Sequence, residues 1–208
     1  MSNYLAKPKL TPRGGVLVFH AWWGLNASFK GLCDRLADEG FLALAPDLYQ
    51  GKIATTIPEA KKLRTKMKRD IVSSEILQAV EHLCAQAAIQ GQPIGVIGFS
   101  LGAYWALWLA EQKPEVIAAT VLFYGSRGGK YTGKSSAFLG HFAEADQYVA
   151  ESGRKKLEKS LKAAGHEVAF HVYPGSGHWF FENDRPAFNP EAAALAWDRT
   201  LAFLNAHL

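Results

Sequence analysis

The chain has 208 residues, 49% of them hydrophobic and 20% charged, and carries a formal net charge of +4. This is the composition of a globular protein, and the length suits a single domain, 1–208, that buries its core without disulfides or metals. It excludes a bilayer span: the longest strand-like apolar run is Val116 to Tyr124, far short of the roughly 20 residues a membrane helix needs.

Met1 to Gly15 carries Lys7, Lys9 and Arg13 but no signal-like apolar core, so a cytoplasmic location without a membrane partner is expected. Gly14 to His20 reads as a strand, Trp22 to Asn26 as a loop, and Ser28 to Glu39 as a helix closed by Gly40. Phe41 to Ala45 is a second short strand, stopped by Pro46-Asp47. Thr56 can cap a helix with Pro58 in its first turn. Six of the nine residues from Lys61 to Arg69 are basic. At helical spacing they read as a solvated face, with steering of anionic substrates as the functional alternative. No nucleic-acid module or interleaved aromatic run accompanies them, so no nucleic-acid partner is expected. A helix follows from Asp70 to Ala88, with Ile71, Ile76, Leu77, Val80 and Leu83 on its inner side. Cys33 and Cys84, each in a helical segment, read as small buried thiols. No Cys or His cluster has zinc spacing and no H-E-x-x-H occurs, so neither metal nor cofactor is expected.

The central stretch is Ile94 to Ala103. An uncharged apolar strand, Ile94 to Phe99, runs through Gly98-x-Ser100-x-Gly102 into a helix whose Leu101, Trp105, Trp108 and Leu109 share a face. This is the nucleophile-elbow pattern: a strand that reverses into a helix over one residue strains that residue, and side chains two positions either side would collide with it. Ser100 is thereby raised over a helix N-terminus that favours developing negative charge.

Pro114 ends that helix, and Val116 to Phe123 is the next strand, followed by a glycine-rich basic loop, Gly125 to Gly133. Ala137 to His141 is a short strand, Gly153 to Ala164 a helix, Glu167 to Tyr173 a strand, Pro174 to Pro190 a long loop, and Glu191 to Leu208 a closing helix. Strands alternating with helices imply an α/β fold with a mostly parallel sheet covered on both faces. No insertion is long enough for a lid.

In such a sheet, residues just beyond the strand C-terminal ends gather along one edge. Ser100, Asp146 and His178 all follow strands, in the order Ser…Asp…His. A serine hydroxyl needs an adjacent base, which His178 can supply, and a carboxylate to fix the tautomer, which Asp146 or its near neighbour Glu144 can supply. His82, His166 and His207 read as surface residues, His171 faces away from Phe170 and Val172, and His20 and His141 end strands near the pocket. Backbone N–H groups of Leu101 and Trp22 are the expected oxyanion hole. Trp22, Trp23, Phe99, Tyr124 and Trp179 can wall an apolar pocket, whereas Trp105 and Trp108 read as core.

The chain resembles the dienelactone hydrolase family, a lidless branch of the α/β-hydrolases, through His20-Ala21-Trp22-Trp23-Gly24-Leu25-Asn26, Glu39 to Tyr49, the elbow, His141 to Val149 and Gly177-His178-Trp179-Phe180. Asp146-Gln147-Tyr148-Val149 is similar to the acid-x-x-Val turn of these enzymes, which favours Asp146 over Glu144. The resemblance implies cofactor-free hydrolysis of an ester or lactone through an acyl-enzyme, with Ser100 as nucleophile, Asp146 as acid and His178 as base. Well-known members carry a cysteine where Ser100 stands, a glutamate where Ala21 stands, and an arginine that grips the substrate carboxylate where Glu182 stands. Together with the aromatic walls, these departures lead one to expect a neutral small-molecule substrate, and the shallow pocket of a lidless fold favours short acyl chains. Acyl transfer or thioester hydrolysis by the same triad and a silent binding protein of this fold are the alternatives; a nucleotide loop fails because neither glycine spacing is present. The chain is expected to act as a monomer or homodimer.

Overall fold

Strands apolar at every position are stable only with both faces covered, and that requirement shapes the molecule. The computed structural model describes residues 3–134 and 136–208. These form a seven-stranded sheet in the order β1-β3-β2-β4-β5-β6-β7. The strands are β1 (Tyr4–Ala6), β2 (Gly15–Phe19), β3 (Leu42–Ala45), β4 (Ile94–Phe99), β5 (Ile117–Phe123), β6 (Ala137–Ala145) and β7 (Glu167–Gly177). All neighbours run parallel except β1, which lies antiparallel to β3. The helices are α1 (Ala27–Asp38), α2 (Ile57–Thr65), α3 (Arg69–Cys84), α4 (Leu101–Gln112), α5 (Glu151–Ala163) and α6 (Pro190–His207). Alternation along β2 sends Val16 and Val18 into a core under α1 and α6, and Leu17 and Phe19 into a second core under α3, α4 and α5. Among the described residues no helix is long and apolar enough to cross a membrane.

Local signals set several element ends. Thr56 and Glu59 form a reciprocal capping box at the start of α2, with Pro58 in the first turn. Asn26 caps α1 by accepting from the Phe29 N–H at 3.2 Å, and Gly40 takes φ +94° just beyond its end.

Other elements depart from expectation. The three-residue β1 carries no periodic pattern and exists because β3 offers an edge, with Tyr4 opposite Ala45. The helix expected to reach Ala88 ends at Cys84, and a single 3₁₀ turn, Ala87–Ile89, follows. Its inner face contains Val72 rather than Ile71, which is exposed. The basic run is not one helical face: it covers the end of α2, the junction, and Arg69 at the start of α3. β6 and β7 both continue past the expected ends, β7 through Pro174. Proline supplies no N–H, but β7 pairs only with β6, and an edge strand tolerates that loss.

One close approach fixes how β4 turns into α4. A Cβ on Gly102 would overlap the carbonyls of Phe19 and His20, and one on Gly98 would overlap the carbonyl of Gly102. The first turn of α4 therefore lies directly on the end of β2. Gly102→Ala is expected to cost at least about 3 kcal/mol, lowering the melting temperature by roughly 6–12 °C. Gly31→Ala on α1, where a Cβ meets nothing within 4 Å, is expected to raise it. Thermal melts of the two variants check both signs.

Candidate active site

Ser100 sits between β4 and α4 with φ +51° and ψ −106°, a strained conformation for a residue bearing a Cβ. Its N–H donates to the Phe123 carbonyl at 2.9 Å, which ties the turn to β5. The hydroxyl Oγ lies 2.9 Å from His178 Nε2. His178 Nδ1 lies 2.8 Å from Asp146 Oδ2 and 3.0 Å from Oδ1. Asp146 Oδ1 also accepts the N–H groups of Tyr148 at 2.8 Å and Val149 at 2.9 Å, so the carboxylate is held in place from below. A carboxylate only accepts, so Nδ1 carries the proton and the lone pair of Nε2 faces the hydroxyl. The His178 and Asp146 side chains are almost wholly buried. Glu144 is exposed and spends Oε2 on the Gly175 N–H at 3.0 Å, so it does not meet His178.

The loop after β2 completes the surroundings of the hydroxyl. Leu101, the first residue of α4, holds one of that helix's unpaired N–H groups. The Trp22 N–H meets no acceptor among the described residues. Its peptide is fixed from the other side. His20 Nε2 accepts the Leu48 N–H at 3.1 Å, so Nδ1 must be the donor in the 2.6 Å bond to the Ala21 carbonyl. Burial lowers the His20 pKa, which keeps the ring neutral and in that tautomer. His20 is thus a scaffold beneath the loop and does not line the cleft over Ser100. His141 is also buried, spending Nδ1 on the Tyr173 hydroxyl at 2.8 Å and Nε2 on the Thr200 hydroxyl at 3.1 Å. His166, expected at the surface, is buried between the Tyr131 carbonyl and the Ser136 N–H.

The cleft over Ser100 has a volume of about 250 Å³. Trp22 and Tyr124 line it as expected; Trp23, Phe99 and Trp179 do not. Phe99 lies in the core under α1 and α6, stacked on Phe123 at 4.5 Å and edge-on to Phe29 at 5.2 Å. Trp23 and Trp179 pack against each other, at 5.3 Å, behind Trp22. Arg64, Tyr104, Ser126, Tyr148 and Val149 also line the cleft, and no sequence pattern marked them for it. Tyr104 was within reach of the sequence, because it stands one helical turn after Ser100 on the same side of α4. Arg64 was masked by the charges around it.

Two premises of a neutral site are reversed. Arg64, exposed on the last turn of α2, brings a cation to the cleft. Glu182 turns away from it, buried, and accepts the Tyr124 hydroxyl at 2.8 Å. Arg185 does not reach the cleft; it pairs with Asp184 at 2.7 Å and lies over the Trp23 ring at 4.1 Å. Burial pushes the Cys33 thiol up to about 12 and raises that of Cys84, so both are poor nucleophiles. Among the described residues no three His, Cys, Asp or Glu side chains gather as metal ligands would.

The sequence matches the dienelactone hydrolase family over residues 1–208. The chain belongs to that family. Its relatives include the "Putative carboxymethylenebutenolidase" of Aquifex aeolicus, 34% identical over 99% of this chain and 93% of that protein. The "Probable 2-oxo-3-(5-oxofuran-2-ylidene)propanoate lactonase" of a Bradyrhizobium species is 29% identical over 99% and 89%. Among solved structures, the "Putative Dienelactone Hydrolase" from Klebsiella pneumoniae superposes with a TM-score of 0.83 at 26% identity, covering 97% of this chain and 91% of that one. The fold is accordingly the α/β-hydrolase fold, and the protein is a hydrolase of the ester- and lactone-cleaving kind.

The burial of Glu182 has a measurable cost. Removal from water pushes its carboxyl up to about 8, even though the Tyr124 hydroxyl donates to it. Between its ordinary value near 4.5 and about 8, the folded protein holds a proton that the unfolded chain has released. The stability associated with Glu182 is therefore complete below pH 4.5, falls as pH rises toward 8, and levels off above. Glu182→Gln removes that dependence. Its stability relative to wild type should rise between pH 5 and 8 by at least about 1 kcal/mol, read as a melting-temperature gain of roughly 2–4 °C, and then stay constant. A flat difference across that range would place the carboxyl in water.

Proposed function

We propose that the protein hydrolyses a carboxylic ester or lactone through an acyl-enzyme formed on Ser100. The observation that carries this reading is the unbroken relay from Ser100 Oγ through His178 to Asp146, with the basic nitrogen facing the hydroxyl. As Oγ attacks the substrate carbonyl, His178 Nε2 takes its proton, and Asp146 stabilises the imidazolium that results. The carbonyl oxygen becomes an oxyanion and is received by the Leu101 and Trp22 N–H groups. The imidazolium then protonates the departing alkoxide, which in a lactone remains tethered to the acyl group. Water, activated by the same nitrogen, frees the carboxylate and restores Ser100. Ser100→Ala should lose at least about three decades of kcat and its labelling by a fluorophosphonate while remaining folded. Asp146→Asn should cost on the order of 10³–10⁴ in kcat and Glu144→Gln far less. Labelling at another residue, or the reverse ranking of the two carboxylates, would overturn the assignment.

Arg64 favours a substrate that carries an acid. The names of the Aquifex and Bradyrhizobium relatives point the same way for those proteins, since a carboxymethylenebutenolide and a furanylidene propanoate are both lactones bearing a carboxyl group. Because Arg64 is exposed, its contribution is modest and salt-dependent. Arg64→Met should lower kcat/KM for a carboxylated lactone by about two- to fivefold, and by less at high salt. A neutral short-chain ester should be unaffected. Equal losses on the two substrates would show that Arg64 acts on the fold and not on charge.

A further inference from the structure

We propose that Glu182 is a positioning residue for His178, acting through the ring of Tyr124. This rests on the reading of His178 as the base. Glu182 and Tyr124 are both buried, and the Tyr124 hydroxyl has the Glu182 carboxyl as its partner, at 2.8 Å. The Tyr124 ring packs 4.9 Å from the imidazole of His178 and forms the cleft wall beside Ser100. Tyr124 itself is held at φ +38°, a conformation that costs a bulky residue roughly 1–3 kcal/mol and persists only under constraint. One constraint is its N–H, which donates to the His141 carbonyl at 2.8 Å; the other is the bond to Glu182. Glu182 follows His178 by four residues, and its N–H donates to the Trp179 carbonyl at 2.9 Å, closing the turn that carries the base.

The imidazole is thus supported in two ways. Asp146 fixes it in its own plane, and Tyr124 supports it through ring packing. Two other rings touch it: Tyr148 at 4.8 Å, which is exposed, and the adjacent Trp179, edge-on at 5.1 Å within the same turn; Tyr124 is the buried ring that supports it from outside that turn. Arg185, the cation whose charge reaches Glu182, is held by Asp184 and lies over Trp23, and no ion pair joins it to the Glu182 carboxyl among the described residues. The carboxyl accepts the Tyr124 hydroxyl whether protonated or ionised, so the required property is an acceptor oxygen and not a charge. That separates this role from electrostatic catalysis and from simple space-filling.

The test compares Glu182→Gln, Glu182→Leu, Tyr124→Phe and the Tyr124→Phe/Glu182→Leu double variant in the full chain. Each is assayed for kcat and KM on p-nitrophenyl acetate from pH 5 to 9. Leu and Phe should lower kcat about tenfold or more with KM within about twofold, because a displaced base costs rate and not affinity. Both should also move the midpoint of the acid limb of kcat/KM, which reports the base. Gln, which keeps the acceptor, should stay within about twofold of wild type, and the double variant should be no worse than either single change. The proposal falls if folded Leu and Phe variants keep wild-type kcat, if only KM changes, or if Gln is as impaired as Leu. Should Leu fail to fold, Tyr124→Phe decides, since it removes only one oxygen. An active Ser100→Ala would overturn the triad reading itself; an inactive one beside fully active Leu and Phe variants would overturn only this proposal.

Discussion

The first turn of α4 rests on the last residues of β2 with no room for a side chain between them. From that contact the geometry of the cleft follows. Because Gly102 sits on the Phe19 and His20 carbonyls, the chain must reverse at Ser100 within one residue, which forces the positive φ and raises the hydroxyl above the sheet. The same contact brings the loop after β2 alongside the start of the helix. Trp22 and Leu101, from segments some eighty positions apart, thereby line one cleft with Ser100. Glycine at 98 and 102 is a steric necessity here, and the strain at Ser100 is sustained by the β4–β5 pairing beside it.

A second layer of order comes from how the histidines are used. His20, His141 and His166 spend both ring nitrogens on fixed partners, two of them bridging backbone groups of separate segments. Each is a buried, satisfied polar group of the kind a tight core requires. His178 differs because one nitrogen faces a hydroxyl that has no stronger partner. The proposed chemistry and the scaffolding use the same side chain, and what separates them is whether the second nitrogen is already committed.

The sequence revealed the elbow, the strand–helix alternation and the order of Ser100, Asp146 and His178 because each depends on local sterics or on a rule about sheet edges. It did not reveal which side of the sheet an aromatic occupies. Phe99 immediately precedes Ser100, yet its ring is taken up by Phe29 and Phe123 in the core under α1 and α6 and not by the cleft. Nor did charge counting identify Arg64, since a cation at a cleft and a cation in water look alike until a helix end places one of them. Glu182 misled for a related reason: its position in the loop was legible, but its direction is set by Tyr124, 58 residues away. Periodicity sets what is buried; partners distant in sequence set where a polar group points.

Asp146 and His178 each follow directly on Ala145 and Gly177, which face one another in the ladder between β6 and β7. The spacing of this couple is therefore a property of strand register, insensitive to the lengths of α5 and of the turns after His178. Yet β7 is the outermost strand, with hydrogen bonds on one side only. Edge strands open at lower free energy than the centre of a sheet. Heat would then separate the couple by fraying β7 while the core around β4 stayed folded, and inactivation would set in below the temperature at which the molecule as a whole melts.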